Sequence, residues 1–115
     1  MNERDYCSDL FAYLDENNQV VTCADAEELA QHYSGQAKRR IVGKTRVNQF
    51  HISTVFLGIN YGNTFGNRPQ WFETMVFVEG DEKSAYDQYY RRYETWNQAQ
   101  AGHDELVEMF RYGYF

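Results

Sequence analysis

The sequence predicts an α+β domain: an antiparallel sheet of about four strands with an N-terminal hairpin, packed against a C-terminal helix and a second short helix. Three observations carry that expectation. Two runs rich in β-branched and aromatic residues, His51 to Tyr61 and Trp71 to Phe77, flank a Gly/Asn loop from Gly62 to Pro69, as adjacent antiparallel strands do. Ala99, His103, Leu106, Val107 and Phe110 recur at helical spacing near the C-terminus. The length, 115 residues with 43% hydrophobic and 17% aromatic content, suits a single domain over 1–115 with a modest core.

In chain order, Leu10, Ala12 and Leu14 alternate with Phe11 and Tyr13 before the turn-forming group Asp15 to Asn18, and Val20-Val21-Thr22 follows, which predicts a short hairpin. Thr22 or Asp25 then caps a helix, with Glu28 three residues beyond Asp25 and Ala26, Leu29, Ala30 and Tyr33 on one face; Ser34-Gly35 ends it. Arg39 to Val47 reads as an edge or half-buried strand with charged residues on its exposed positions, and Asn48-Gln49 turns it into the central pair. Tyr86, Tyr89, Tyr90 and Tyr93 fit helical spacing. A strand instead places Tyr89, Arg91 and Tyr93 on one face and Tyr90 and Arg92 on the other, and the tyrosine content favours the strand. Thr95 caps the last helix, and Gln98 completes a Thr-x-x-Gln capping box.

The net charge of -6 is unevenly distributed. Residues 1–33 hold eight acids and one base, residues 34–68 hold six bases and no acid, and residues 69–115 hold nine acids and four bases. The basic middle is expected to pair with the protein's own acidic ends rather than to face phosphate. No window reaches the roughly 18 apolar residues of a membrane span, and the charged start, Met1-Asn-Glu-Arg-Asp5, lacks a signal core, so no membrane partner and a cytoplasmic location are expected. In that setting Cys7 and Cys23 are expected to stay reduced.

The order Leu14-Asp-Glu-Asn-Asn-Gln-Val-Val21, an acidic helix, Ser53-Thr-Val-Phe-Leu-Gly58, Phe72-Glu-Thr-Met-Val-Phe77, and Tyr93-Glu-Thr-Trp96 with Ala101-Gly-His103 resembles a widespread family of small, uncharacterised phage and prophage proteins. The resemblance covers about Tyr13 to Phe110. It implies a phage-encoded accessory protein acting in the bacterial cytoplasm and brings neither a reaction nor a ligand. Relatives often continue the first block with Asp-His; this chain has Asn60 and Tyr61, which weakens any acid/base or metal role there.

Candidate chemistry is sparse. Glu73, between Phe72 and Thr74, is either a buried carboxylate poised as a base or, as expected, an outward residue paired with Arg46 or Arg91. His103 on the apolar helix face is expected to be a hydrogen-bonded core residue rather than a pocket residue. Cys7 is expected to be a small apolar core residue rather than a nucleophile. His32, His51 and His103 are too dispersed for a zinc site, and Gly62 to Asn67 fails the phosphate-loop pattern, so no metal or cofactor is expected. Aromatics interleaved with arginine at Tyr89 to Tyr93 suggest a single-strand platform, but the acidic balance argues against nucleic acid.

Two function classes follow. The first is non-enzymatic binding to a host or phage protein through exposed aromatics, blocking a host defence being one form of it; self-association is another use for so many aromatics. The second is binding, or turnover, of a nucleotide-like small molecule in a pocket built from aromatics with Arg39, Arg40, Arg91, Arg92 and His103. The candidate ligand- or partner-binding residues are Tyr61, Phe65, Arg68, Trp71, Glu73, Tyr89, Arg91 and His103, and no residue is assigned a catalytic role.

Overall fold

A computed structural model describes residues 10–23, 25–31, 40–60, 68–80 and 86–113. In these the elements run β1 (Phe11–Leu14), β2 (Val20–Cys23), α1 (Ala26–Gln31), β3 (Ile41–Val47), β4 (Phe50–Phe56), β5 (Phe72–Val78), β6 (Tyr90–Tyr93) and α2 (Trp96–Tyr112). Strands β1 and β2 form the N-terminal hairpin, and β3 to β6 form a four-stranded antiparallel sheet in sequence order. The expected α+β architecture is therefore present.

Local chemistry explains each turn. The Asp15 carboxylate accepts the N–H groups of Asn17 and Gln19, and Asn18 takes a left-handed φ of 61°, which closes the hairpin. Asp25 caps α1 by accepting the Glu28 N–H. Asn48, at φ 53°, turns β3 into β4. Strand β4 ends at Phe56 rather than continuing to Tyr61, because the backbone turns through Gly58 at φ 76°. Beyond it, Ala12 donates to the Gly58 carbonyl and Asn60 to the Leu10 carbonyl, joining the hairpin to the end of the sheet.

The tyrosine segment divides in two. Only Tyr90–Tyr93 is strand; Tyr86 to Gln88 is a turn, with Gln88 at φ 63°. There the Asp87 carboxylate, not a neighbouring strand, accepts the Val78 N–H. Tyr86 turns inward and packs edge-on against Phe50 and Phe110. Its helical spacing with Tyr89, Tyr90 and Tyr93 reflects a turn followed by a strand.

One face of the sheet lies under α2. The helix begins with the expected capping box, Thr95 accepting the Gln98 N–H while the Gln98 side chain accepts the Thr95 N–H, and ends at Gly113 in the left-handed region. It buries Ala99, Gly102, His103, Leu106, Val107 and Phe110. Two apolar clusters result: Val47, Phe50, Ile52, Val76, Val78, Leu106, Val107 and Phe110 at one end, and Ala12, Leu14, Phe56, Trp71, Phe72 and Ala99 under the hairpin at the other.

Two glycines allow α2 to sit this close. A Cβ on Gly102 would lie 2.4 Å from the Tyr93 ring and hydroxyl, and one on Gly43 would lie 2.9 Å from the His103 ring. A bulge between Ile41 and Gly43 lets Val42 reach the hairpin-end cluster while Gly43 still backs His103. Gly102→Ala is expected to destabilise the fold by at least about 1 kcal/mol, overpacking against Tyr93 outweighing the gain in helix propensity. Among the described residues the buried Tyr93 hydroxyl makes no well-formed hydrogen bond, its one polar neighbour being the Thr74 hydroxyl already bonded to Thr54, so Tyr93→Phe is expected to leave stability unchanged or raise it. Urea unfolding checks both; a stabilised Gly102→Ala would contradict this packing.

Candidate functional site

Cross-strand register sets the geometry of both sheet faces. On the helix side, Gly43, Thr54, Thr74 and Arg91 stand opposite one another across all four strands, a polar row between the two apolar clusters. Thr54 and Thr74 are fully buried and hydrogen-bond to each other. Thr54 Oγ1 lies 2.7 Å from His103 Nδ1, and Thr45 Oγ1 lies 2.8 Å from His103 Nε2. Both ring nitrogens are thus engaged, and the direction of the hydroxyl chain follows the tautomer. Burial pushes the His103 pKa below its ordinary value, opposed by the nearby Asp104 charge. Burial likewise raises Tyr93, with the Thr74 hydroxyl pulling the other way.

An imidazole beside a hydroxyl is the chemistry of an activated nucleophile, but Thr54 and Thr74 have no exposure and His103 only 5%. The Thr54–His103 pair is closed to a substrate, and Thr45, the other hydroxyl on the ring, is half-buried. His103 is the hydrogen-bonded core histidine, not part of a pocket.

The opposite face carries Ile41, Val55, Glu73 and Arg92 in one row, Lys44, Ser53, Met75 and Tyr90 in the next, and Arg46, His51 and Phe77 in the third. Among the described residues no element covers it. Ile41, Phe77 and Tyr90 are 42%, 46% and 53% exposed. Its charges are organised in pairs: Glu73 with Arg92 at 3.0 Å, and Glu79 with both Arg46 and His51. The His51 hydrogen bond and then the Arg46 charge hold the Glu79 carboxyl below its usual range. Arg92 also stacks over the Tyr90 ring at 4.8 Å.

The sequence-derived candidates scatter over this frame. Tyr61 and Phe65, with Cys7, His32 and Arg39, lie outside the described residues. Arg68 is exposed and pairs with Glu94 through two hydrogen bonds; with Arg46 and Glu79, it shows basic residues of the middle pairing with acids further on, as expected. Trp71 is only 2% exposed and serves the core, so it cannot anchor a partner. Glu73 faces outward in an ion pair as expected, though its partner is Arg92, which its register places directly opposite. Arg91 bonds the Tyr89 hydroxyl and Glu105 on the helix side, whereas Arg92 is on the other face. Arg40 is spent on the carbonyls of Phe56 and Leu57.

Arg40, Arg91, Arg92 and His103 therefore do not converge on one pocket. Val55, Met75, Phe77 and Tyr90, which the register aligns, were not singled out from sequence; the only signal was the period-2 alternation of β4 and β5. Asn60 is buried and its side chain accepts the Gln70 N–H. Cys23 is buried. Among the described residues no group of three or more acids, histidines and cysteines is placed to hold a metal, and no helix is long and apolar enough to cross a membrane. The chain matches no protein-family model, no curated protein and no solved structure.

Because the folded state disfavours His103 protonation, the unfolded chain binds the extra proton. The His103 contribution to stability is thus fully present above about pH 6.5 and is lost as pH falls toward its lower folded value. The expected slope in that window is positive and at most about 1.4 kcal/mol per pH unit from this residue. Urea midpoints between pH 7.5 and 5 should show it, and His103→Gln should flatten it. Thr54→Val, which strands the ring nitrogen, should cost about 1–3 kcal/mol.

Proposed function

We propose that this protein is a phage-type accessory protein that works without catalysis, by binding a host or phage protein through the uncovered face of its sheet. The supporting observation is the juxtaposition of Ile41, Val55, Met75, Phe77 and Tyr90 on one pleated face with no described element above it. Exposed aromatic and aliphatic side chains on a rigid sheet make a low-entropy docking surface, and the ion pairs at Glu73 and Glu79 form its polar border.

Charge narrows the partner. The face carries Lys44, Arg46 and Arg92 against Glu73 and Glu79, a local excess of one positive charge in a protein of net charge -6. The outer side of α2 is acidic instead, with Asp104, Glu105 and Glu108 exposed. A partner with an apolar patch bordered by acids complements the sheet face and is repelled by the helix side. Counter-defence binding inside an infected bacterium fits such a surface, and this role rests on the phage resemblance rather than on geometry.

Affinity capture from bacterial lysate with the wild-type chain should recover a specific partner. Phe77→Asp and Tyr90→Asp, both at exposed positions, should fold normally by circular dichroism and lose it, while Glu108→Lys on the helix side should retain it. Retention by both sheet-face variants would contradict the proposal. A bare oligomer dissolved by Phe77→Asp would reassign the face to self-association.

A further inference from the structure

The hairpin and the first turn of α2 enclose a half-open cleft of about 410 Å³, separate from the uncovered sheet face. Its walls include Asn18, Gln19, Trp71, Glu94, Trp96 and Asn97. We propose that this cleft binds an uncharged, ring-bearing polar molecule, a nucleoside or a sugar.

The volume lies in the range of small-molecule sites. Trp96 supplies a fixed apolar wall: it is half-buried and held edge-on by Phe72, with ring centroids 6.2 Å apart at 85°. Asn18, Gln19 and Asn97 each bring an amide that both donates and accepts, the pairing that ring edges and hydroxyls require. The Asn18–Gln19 side is held in place, since the Asp15 carboxylate accepts the Asn17 and Gln19 N–H groups and the Gln19 carbonyl accepts the Asp15 N–H.

Charge disfavours an anion. Among the described residues no lysine, arginine or histidine lines the cleft. The helix N-terminus beside it is partly satisfied by its capping box, Thr95 accepting the Gln98 N–H and the Gln98 side chain accepting those of Glu94 and Thr95, which leaves the first-turn N–H groups of Trp96 and Asn97 as donors suited to a neutral hydroxyl or carbonyl. The one carboxylate, Glu94, is neutralised by Arg68 through hydrogen bonds of 3.1 and 2.7 Å. A phosphate would meet only Arg68, already paired with Glu94, so the ligand is a nucleoside or sugar rather than a nucleotide.

The test is an amide and indole NMR titration of the full chain with adenosine, cytidine, glucose and N-acetylglucosamine at millimolar concentration, and with adenosine monophosphate for comparison. Saturable shifts are expected at the Trp96 indole N–H and the side-chain amides of Asn18, Gln19 and Asn97. Which class produces them decides between nucleoside and sugar. The double variant Gln19→Ala/Asn97→Ala, at two exposed positions, should fold and bind about tenfold or more weaker. Absence of saturable shifts with all four neutral compounds, tighter binding of the phosphate form, or unchanged affinity in the double variant would overturn the assignment.

Discussion

The imidazole of His103, held at 2.7 Å by Thr54 and at 2.8 Å by Thr45, fixes where α2 lies on the sheet. Apolar contacts alone are non-directional and would tolerate a helix sliding along the strands. A buried polar ring with two required partners does not tolerate it, since a shift leaves a donor or acceptor unsatisfied in a dry interior. Gly43 and Gly102 follow from that placement. The first gives the His103 ring room against β3, and the second lets the Tyr93 ring press on the helix backbone.

This arrangement divides the molecule by face. The helix side of the sheet is closed, with its polar row satisfied inside and its apolar clusters filled from α2 and the hairpin. The other side keeps Phe77, Tyr90 and Ile41 in solvent beside intramolecular ion pairs. Chemistry that needs an accessible imidazole has no place on the first face, whereas recognition has surface available on the second. The cleft beside Trp96 is a third environment, set by the hairpin instead of the sheet.

Much of this was legible in the residues, for identifiable reasons. The β4 and β5 pairing follows from two β-branched and aromatic runs around a turn-rich loop, and the α2 start and buried positions follow from one capping box and one apolar stripe; the structure agrees on these, with β4 ending earlier, at Phe56. His103 as a core histidine and Glu73 as an outward ion-paired residue were also readable from their positions in those patterns. What pattern alone could not supply was relation between strands. That Thr54, Thr74 and Gly43 form one row depends on register and on the bulge in β3. Trp71, a candidate binding residue in the sequence, is buried because the hairpin folds over that end of the sheet. The favoured strand in the tyrosine segment is present at Tyr90–Tyr93, and it is shorter than the segment because a turn ending in Gln88 precedes it.

The most direct test of the His103 placement is a nitrogen-15 NMR measurement of its ring as pH is lowered. One neutral tautomer, one nitrogen carrying hydrogen and the other bare, is expected to persist below the pH at which an ordinary histidine is half protonated. A ring that averages between tautomers and titrates at or above the ordinary value would contradict it, and with it the claim that this residue anchors the helix.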